Sequence, residues 1–206
     1  GSTAATLAAQ AAAVVVAKDG TACCSWQELD AALAHHSSRA VTLPALLPLL
    51  ARYRQNHQQI VLTSGCFDIL HRGHVASLNQ ARALGDLLVV GLNSDESIRR
   101  LKGAERPINS LADRLEVLSA LSCVDYIVVF DDDTPCRLIE AIRPSVFAKG
   151  GDYHRETLPE AALVEALGGR VEILPLVNER STTRLIAEAL GVSHTTVRKW
   201  LEKGGN

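Results

Sequence analysis

Between residues 60 and 84 the chain changes its hydrophobic period, and that change constrains the fold more than any other feature. Ile60-Val61-Leu62-Thr63 is a short, largely β-branched apolar run closed by a glycine, as expected of a parallel-sheet strand buried on both faces. After it Val75, Leu78, Ala81 and Leu84 recur at helical spacing, with Asn79, Gln80 and Arg82 between them. Strand, glycine turn and helix in that order predict a βα unit. Its junction, Gly65-Cys66-Phe67-Asp68-Ile69-Leu70-His71-Arg72-Gly73-His74, lies at a helix start. Unpaired N–H groups and the positive end of the macrodipole make that a place to hold phosphate.

His71 and His74, three apart, share one face of the first turn. Gly73 between them has no Cβ and lets a ligand or a neighbouring backbone come close. Imidazoles placed there donate hydrogen bonds to phosphate oxygens and stabilise charge that builds up during transfer. An isolated pair of this kind is more often a surface or metal-binding coincidence. Zinc, however, needs more ligands, and no cysteine pair at CxxC spacing supplies them. Directly after a strand and a glycine turn, phosphate is favoured.

The rest of the body alternates strand-like and helix-like segments, which predicts an α/β fold with a doubly wound parallel sheet. Residues 42–55 read as an amphipathic helix, 87–92 as a strand, 111–121 as a helix and 126–130 as a strand. Thr134 is a candidate N-cap with Pro135 at the first helical position, and that helix runs to Ile142 before Pro144. Residues 145–148 read as a short strand, 158–167 as a helix closed by Gly168-Gly169, and 171–174 as a last strand, after which Ser181 caps a final helix. Ligands in such sheets bind beyond the carboxyl ends of the strands, so the motifs at 65–74, 149–152 and 181–183, each following a strand, converge on one cleft.

With 206 residues, 47% of them hydrophobic and 21% charged, the chain can bury one sizeable core with an appendage. A formal net charge of -2 gives no global pull toward nucleic acid. The apolar stretch 4–17 is interrupted by Thr6 and Gln10 and lacks both the length of a membrane span and a basic leader. Five cysteines, Cys23, Cys24, Cys66, Cys123 and Cys136, are an odd number without a disulfide-framework spacing. They read as mostly packed thiols in a reducing cytoplasm, with Cys66 lining the site by position.

The segment Gly65 to His74 resembles the HxGH signature, in its GCFDxLHxGH form, of the cytidylyltransferase-like nucleotidyltransferases. Lys149-Gly150-Gly151-Asp152-Tyr153 and Ser181-Thr182-Thr183 resemble the sugar-phosphate branch of that family, most closely the adenylyltransferase part of the bacterial ADP-heptose synthases. The resemblance spans roughly residues 42–190, and the combination is more specific than any one motif. It implies a Rossmann-like nucleotidyltransferase fold and transfer from ATP to D-glycero-β-D-manno-heptose 1-phosphate. It also implies Mg²⁺ bound mainly through the triphosphate, no metal ligand set of the protein's own, and a homodimer. On it, His71, His74 and Lys102 are catalytic, Lys102 falling in Arg99-Arg100-Leu101-Lys102-Gly103 where Arg99 and Arg100 read as a solvated face. Gly65, Cys66, Phe67, Gly73, Lys149, Gly150, Gly151, Ser181, Thr182 and Thr183 would line the nucleotide, and Asp68, Asn93, Asp95 and Asp152 the acceptor. Taken alone, Lys149 to Asp152 is a loop with a turn, Ser181 a helix cap and Asp68 a turn residue.

Two departures refine the choice. Glycerol-phosphate and choline-phosphate cytidylyltransferases carry an arginine before their Val-Asp pair, where this chain has Ser122-Cys123 before Val124-Asp125. They lead into Ser-Thr-Thr with RTxGI, where this chain has Leu176-Val177-Asn178-Glu179-Arg180. Both favour adenylyl over cytidylyl transfer, the latter, to a polyol or other sugar phosphate, standing as the alternative. Residues 187–201 also resemble a DNA-binding helix-turn-helix, which would make the chain a regulator. Packing of a terminal helix through Val197, Trp200 and Leu201 explains the same residues, and no third helix remains for a separate module. Residues 1–41, with a strand read at Val14-Val15-Val16 and a turn at Lys18-Asp19-Gly20-Thr21, resemble the tail of a ribokinase-like sugar kinase domain; an extension packing on a neighbour is the alternative. The expected organisation is therefore 1–41 an extension, 42–190 the nucleotidyltransferase domain and 191–206 a helical tail.

Overall fold

The computed structural model describes residues 39–151 and 158–175, together with 11, 12, 15, 23–25, 187, 190–193, 195–197 and 199. The chain divides into two units, Gly1–Arg39 and Ala40–Asn206. In the first, Ala11, Ala12 and Val15 are helical, so the strand expected at Val14 to Val16 is not formed at Val15; the alanine-rich surroundings favour helix locally. Lys18 to Thr21 lie outside the described residues.

The second unit opens with α1 (Leu43–Gln55), which has Pro44 in its first turn and sets Leu46 and Leu50 on its buried side. Five described strands follow, β1 (Ile60–Gly65), β2 (Leu87–Asn93), β3 (Tyr126–Phe130), β4 (Val146–Gly150) and β5 (Arg170–Leu174). They pair in the order β3-β2-β1-β4-β5, every pair parallel. Between them lie α2 (Arg72–Arg82), α3 (Asp95–Lys102), α4 (Leu111–Ser119), α5 (Cys136–Ile142) and α6 (Pro159–Ala166).

The apolar strands owe their continuous runs to burial on both faces. Ile60, Leu62, Leu87, Val89 and Phe147 join Leu46 and Leu50 of α1, Leu138 and Ile139 of α5 and Val164 of α6 in one core. Val61, Leu88, Val90, Leu92, Val146 and Ala148 join Leu78 and Ala81 of α2 and Leu118 of α4 in the other. This is the doubly wound α/β sheet that the alternation of periods predicts. Chain order runs outward from β1 to β3, then returns to place β4 on the other side of β1, so the order of strand addition reverses between β1 and β4. In open sheets of this kind the crevice at such a reversal is where ligands sit.

Several boundaries differ from expectation. Helix α3 is not marked by the apolar pattern; it is started instead by Ser94, whose hydroxyl accepts the Ser97 N–H at 3.0 Å. Helix α5 begins after Pro135, which stands at the N-cap without a side-chain bond, so Thr134 is not the cap. It ends at Arg143, which takes a left-handed conformation with φ 45°. Strand β4 extends two residues beyond Ala148, so Lys149 and Gly150 are strand residues opposite Ile173 and Leu174 of β5 and not a loop. Ahead of α1, Ala40 bridges to Ile127 on the outer edge of β3, and the Val41 N–H donates to the Ile127 carbonyl at 2.9 Å.

The five cysteines form no disulfide, and only Cys123 is buried; the expectation of mostly packed thiols fails at the exposed Cys23, and Cys24, Cys66 and Cys136 are half-buried. No described helix is long and apolar enough to cross a membrane. Near the C-terminus Ser193 accepts the Thr196 N–H at 3.1 Å, the serine cap that the sequence suggests, and Val197 is buried. Trp200 and Leu201 lie outside the described residues.

Candidate active site

The chain leaves β1 at Gly65 and must turn sharply to reach α2. A Cβ on Gly65 would stand 3.1 Å from the Phe67 ring, and Phe67 takes a left-handed φ of 45°. The Phe67 ring then meets the edge of His74 at 5.4 Å between centroids. His71 is the N-cap of α2 and His74 its third residue, and the two form a reciprocal capping box with imidazoles in place of the usual hydroxyl and carboxylate. The Gly73 N–H donates to His71 Nδ1 at 3.1 Å, and the His71 N–H donates to His74 Nδ1 at 3.4 Å. Both expected histidines are therefore brought together, rings stacked 3.9 Å apart.

This capping fixes the chemistry of the pair. A neutral imidazole whose Nδ1 accepts a backbone N–H carries its own proton on Nε2. Burial lowers the pKa of His71 below the ordinary histidine value. Burial also pushes His74 down to about 4, reinforced by His71 and by the Lys102 ammonium, with a backbone bond to Ile69 acting weakly the other way. At neutral pH the site thus presents two neutral imidazoles at the positive end of a helix.

The loop before the histidines is braced from outside itself. Asp68 is 4% exposed, and its carboxylate accepts from Arg106 Nε at 2.6 Å and from the Ile108 and Asn109 N–H groups at 2.8 and 2.9 Å, while its carbonyl accepts from Asn109 Nδ2. Arg114 of α4, 2% exposed, is the hub. Its Nη1 donates to the carbonyls of Cys66 at 2.7 Å and Asn93 at 2.9 Å, its Nε to the Asn109 carbonyl at 3.2 Å and its Nη2 to Asp95 Oδ1 at 2.6 Å. One guanidinium thus ties the carboxyl ends of β1 and β2 to α3 and to the 106–109 loop. Asn93 is buried, its Nδ2 donating to Ser97 Oγ at 2.9 Å, and Cys66 Sγ lies 3.8 Å from Asn93 Oδ1. Asp68, Asn93 and Asp95 accordingly spend their polar atoms within the protein. Arg106, Asn109 and Arg114 are bracing residues that motif reading passes over; the signal for Arg114 is an arginine on the apolar stripe Leu111, Leu115, Leu118.

Lys102, the exposed last residue of α3, lies near enough to His74 to lower its pKa. Arg99 and Arg100 are exposed and paired with Glu96 at 2.7 Å and Asp133 at 2.8 Å, the solvated face expected. Across the reversal, β4 ends at Lys149 and Gly150. A Cβ on Gly150 would sit 3.1 Å from Ser77 Oγ of α2, so the glycine lets β4 and α2 approach closely. Gly151 follows at φ 133°, its N–H donating to the Leu174 carbonyl at 3.3 Å. Lys149 Nζ lies 3.7 Å from Glu160 Oε1 and 6.0 Å from the centroid of the Phe147 ring. Glu160, in the first turn of α6, is a further residue the motifs do not flag. Asp152, Ser181, Thr182 and Thr183 lie outside the described residues.

The model of the cytidylyltransferase-like family matches residues 62–199. The chain is 51% identical over 193 residues to the bifunctional protein HldE of Syntrophotalea carbinolica, covering 92% of this chain and 39% of that protein. It is 50% identical over 187 residues to the bifunctional protein HldE of Hyphomonas neptunium, covering 89% and 38%. It therefore spans well under half the length of these relatives. Among solved structures, pantothenate synthetase from Thermus thermophilus superposes with a TM-score of 0.51 at 16% identity, covering 80% of each chain, a likeness of fold.

Proposed function

Because the chain belongs to the cytidylyltransferase-like family and is a nucleotidyltransferase, we propose that it joins ATP to D-glycero-β-D-manno-heptose 1-phosphate, giving ADP-heptose and pyrophosphate. The observation that carries the reading is the stacked histidine pair, capped at both Nδ1 atoms and held neutral at the start of α2. An oxygen of the sugar phosphate attacks the α-phosphorus of ATP. The new P–O bond forms as the bond to the β-phosphate bridging oxygen breaks, and pyrophosphate leaves with that electron pair. The attacking phosphate is already ionised, so no general base is demanded; positioning and charge neutralisation carry the step.

In this reading His71 and His74 each give an Nε2–H to phosphate oxygens, and the N–H groups of α2 stand behind them. Lys102 meets the charge growing on the leaving pyrophosphate. Magnesium arrives as MgATP, since Mg²⁺ keeps most of its water and binds substrate phosphates in such sites. Lys149, Gly150 and Gly151 approach the nucleotide from the β4 side, with Ser181, Thr182 and Thr183 at a second helix start and Asp152 on the sugar hydroxyls. Asp68, Asn93 and Asp95, engaged within the protein, hold the loops that shape the acceptor side. Adenine and heptose are supported by Lys149 to Tyr153, by Ser181 to Thr183 and by the absent cytidylyltransferase arginines. A sugar kinase can supply such a 1-phosphate acceptor, and the bifunctional character of the longer relatives fits a kinase domain ahead of this one, with residues 1–41 either its trailing segment or an extension packing on a neighbour.

The deciding experiment is pyrophosphate release across four nucleotides and several sugar phosphates. ATP with the heptose 1-phosphate is the pair expected to turn over; turnover with CTP and a polyol phosphate instead would move the reading to cytidylyl transfer. His71→Ala and His74→Ala should each lower kcat by about 100-fold or more, the scale of losing one preorganised donor. Unchanged pyrophosphate release in either variant sinks the mechanism.

A further inference from the structure

Among the described residues, three other than glycine take a left-handed backbone: His57 at φ 57°, and Phe67 and Arg143 at φ 45°. His57 follows the last turn of α1 and Arg143 ends α5, and a left-handed residue is an ordinary way to finish a helix. Phe67 finishes no helix. It stands in the loop between β1 and α2, where a bulky side chain in this conformation is costly and a glycine would not be. Such strain persists where the surrounding structure over-determines it, and the contacts of the ring show what does so here. The ring lies over Gly65, where a Cβ would come within 3.1 Å of it, and it meets the His74 imidazole at 5.4 Å between centroids with the planes 64° apart. His71 stacks on the same imidazole at 3.9 Å and 27°. Phe67 is only half-buried, packed at the margin of a core cluster, so filling the core does not account for its conformation.

We propose that Phe67 is a positioning residue: its ring, seated over Gly65 and against His74, holds that imidazole in the orientation in which it meets the transferring phosphoryl group. This role rests on the reading of His74 as a donor in the transfer. An imidazole turns about its side-chain torsions, and the bond from the His71 N–H to its Nδ1, at 3.4 Å, is long and fixes them weakly. The two neighbouring rings do what that bond does not. Edge-to-face aromatic contact is directional, so it sets the angle between the planes as well as their distance. Burial is the main reason that His74 titrates near 4, and the Phe67 ring supplies part of that cover. A donor held in this way is in place before the phosphate arrives, which is where preorganisation gives its benefit.

The test uses the full chain. Phe67→Leu keeps an apolar side chain on the same backbone and removes the flat ring. Followed by NMR in the free protein, His74 should then titrate above its value of about 4, toward the ordinary 6.5. In pyrophosphate release from MgATP and D-glycero-β-D-manno-heptose 1-phosphate, kcat should fall about 10- to 100-fold, the scale of a small misplacement at a reacting centre, with the KM for ATP little changed. Phe67→Tyr keeps the ring and should retain both the low titration and most of the turnover. Adding Phe67→Leu to His74→Ala should lower kcat no further. An unmoved His74 titration in Phe67→Leu overturns the proposal. So does an equal fall in kcat with and without His74, which would mean that the ring acts on something else. Undiminished pyrophosphate release in His74→Ala is a separate failure, that of the donor reading beneath, and the titration of the free protein tells the two apart.

Discussion

On the β1 side of the crevice, the loop that carries the histidines is cross-braced by Asp68, Arg106, Asn109 and Arg114, groups brought from separate stretches of chain. On the β4 side Lys149 and Gly150 stand in the ladder opposite Ile173 and Leu174 of β5, with Lys149 Nζ 3.7 Å from Glu160 Oε1. Donors that stabilise a transition state must already be in place, because reorganising them during the reaction would consume their benefit. The histidine side is held by side chains reaching in from distant stretches of chain, whereas the β4 side is held by the regular backbone ladder to β5.

The cross-brace is most vulnerable at Arg114. Arg114→Met removes a buried guanidinium with bonds to Cys66, Asn93, Asn109 and Asp95, and should cost about 3 kcal/mol of stability in urea denaturation. Arg114→Lys, which keeps the charge and loses the fork, should fall between. A cost under about 1 kcal/mol for Arg114→Met would mean that the brace is not rigid. Next comes Asp68→Asn, which keeps the shape and gives up the charge opposite Arg106; about 1–2 kcal/mol is expected in the same denaturation.

A third test is a pH dependence. The folded His74 titrates near 4 and its ordinary value is 6.5, so between those limits the unfolded chain binds more protons. Stability therefore rises with pH across that window, and acidification from 6.5 toward 4 erodes it. The urea midpoint of His74→Asn should decline less over the same range, the carboxylate contribution being common to both proteins. Parallel declines would count against a neutral, buried pair.

Much of this was legible in the chain because the cause was local. Apolar runs without alternation mark strands covered on both faces, and Tyr126–Phe130 is found with the bounds the pattern predicts. The histidine pair was visible because the strand, the glycine and the helix start are contiguous. Helix α3 escaped since only Ile98 and Leu101 are apolar in it; its origin is the Ser94 cap and the packing of Ile98. Asp68 could be read as turn or ligand, whereas its partners stand at Arg106, Ile108 and Asn109, and pairings over such separations are set by tertiary folding. Glu160 in the first turn of a helix resembles many surface glutamates, and only the packing of α6 against the sheet buries it.

The bridge at Ala40 has a consequence for handling the protein. A sheet ends in strands whose backbone groups are open to pairing with another molecule, and β3 is one such margin. Ala40 and Val41 occupy part of it, through the Val41 N–H and the Ile127 carbonyl. Shortening the chain to begin at α1 would uncover that carbonyl beside Val129, which is 37% exposed, and a version trimmed in this way should aggregate more readily than one that keeps the two residues.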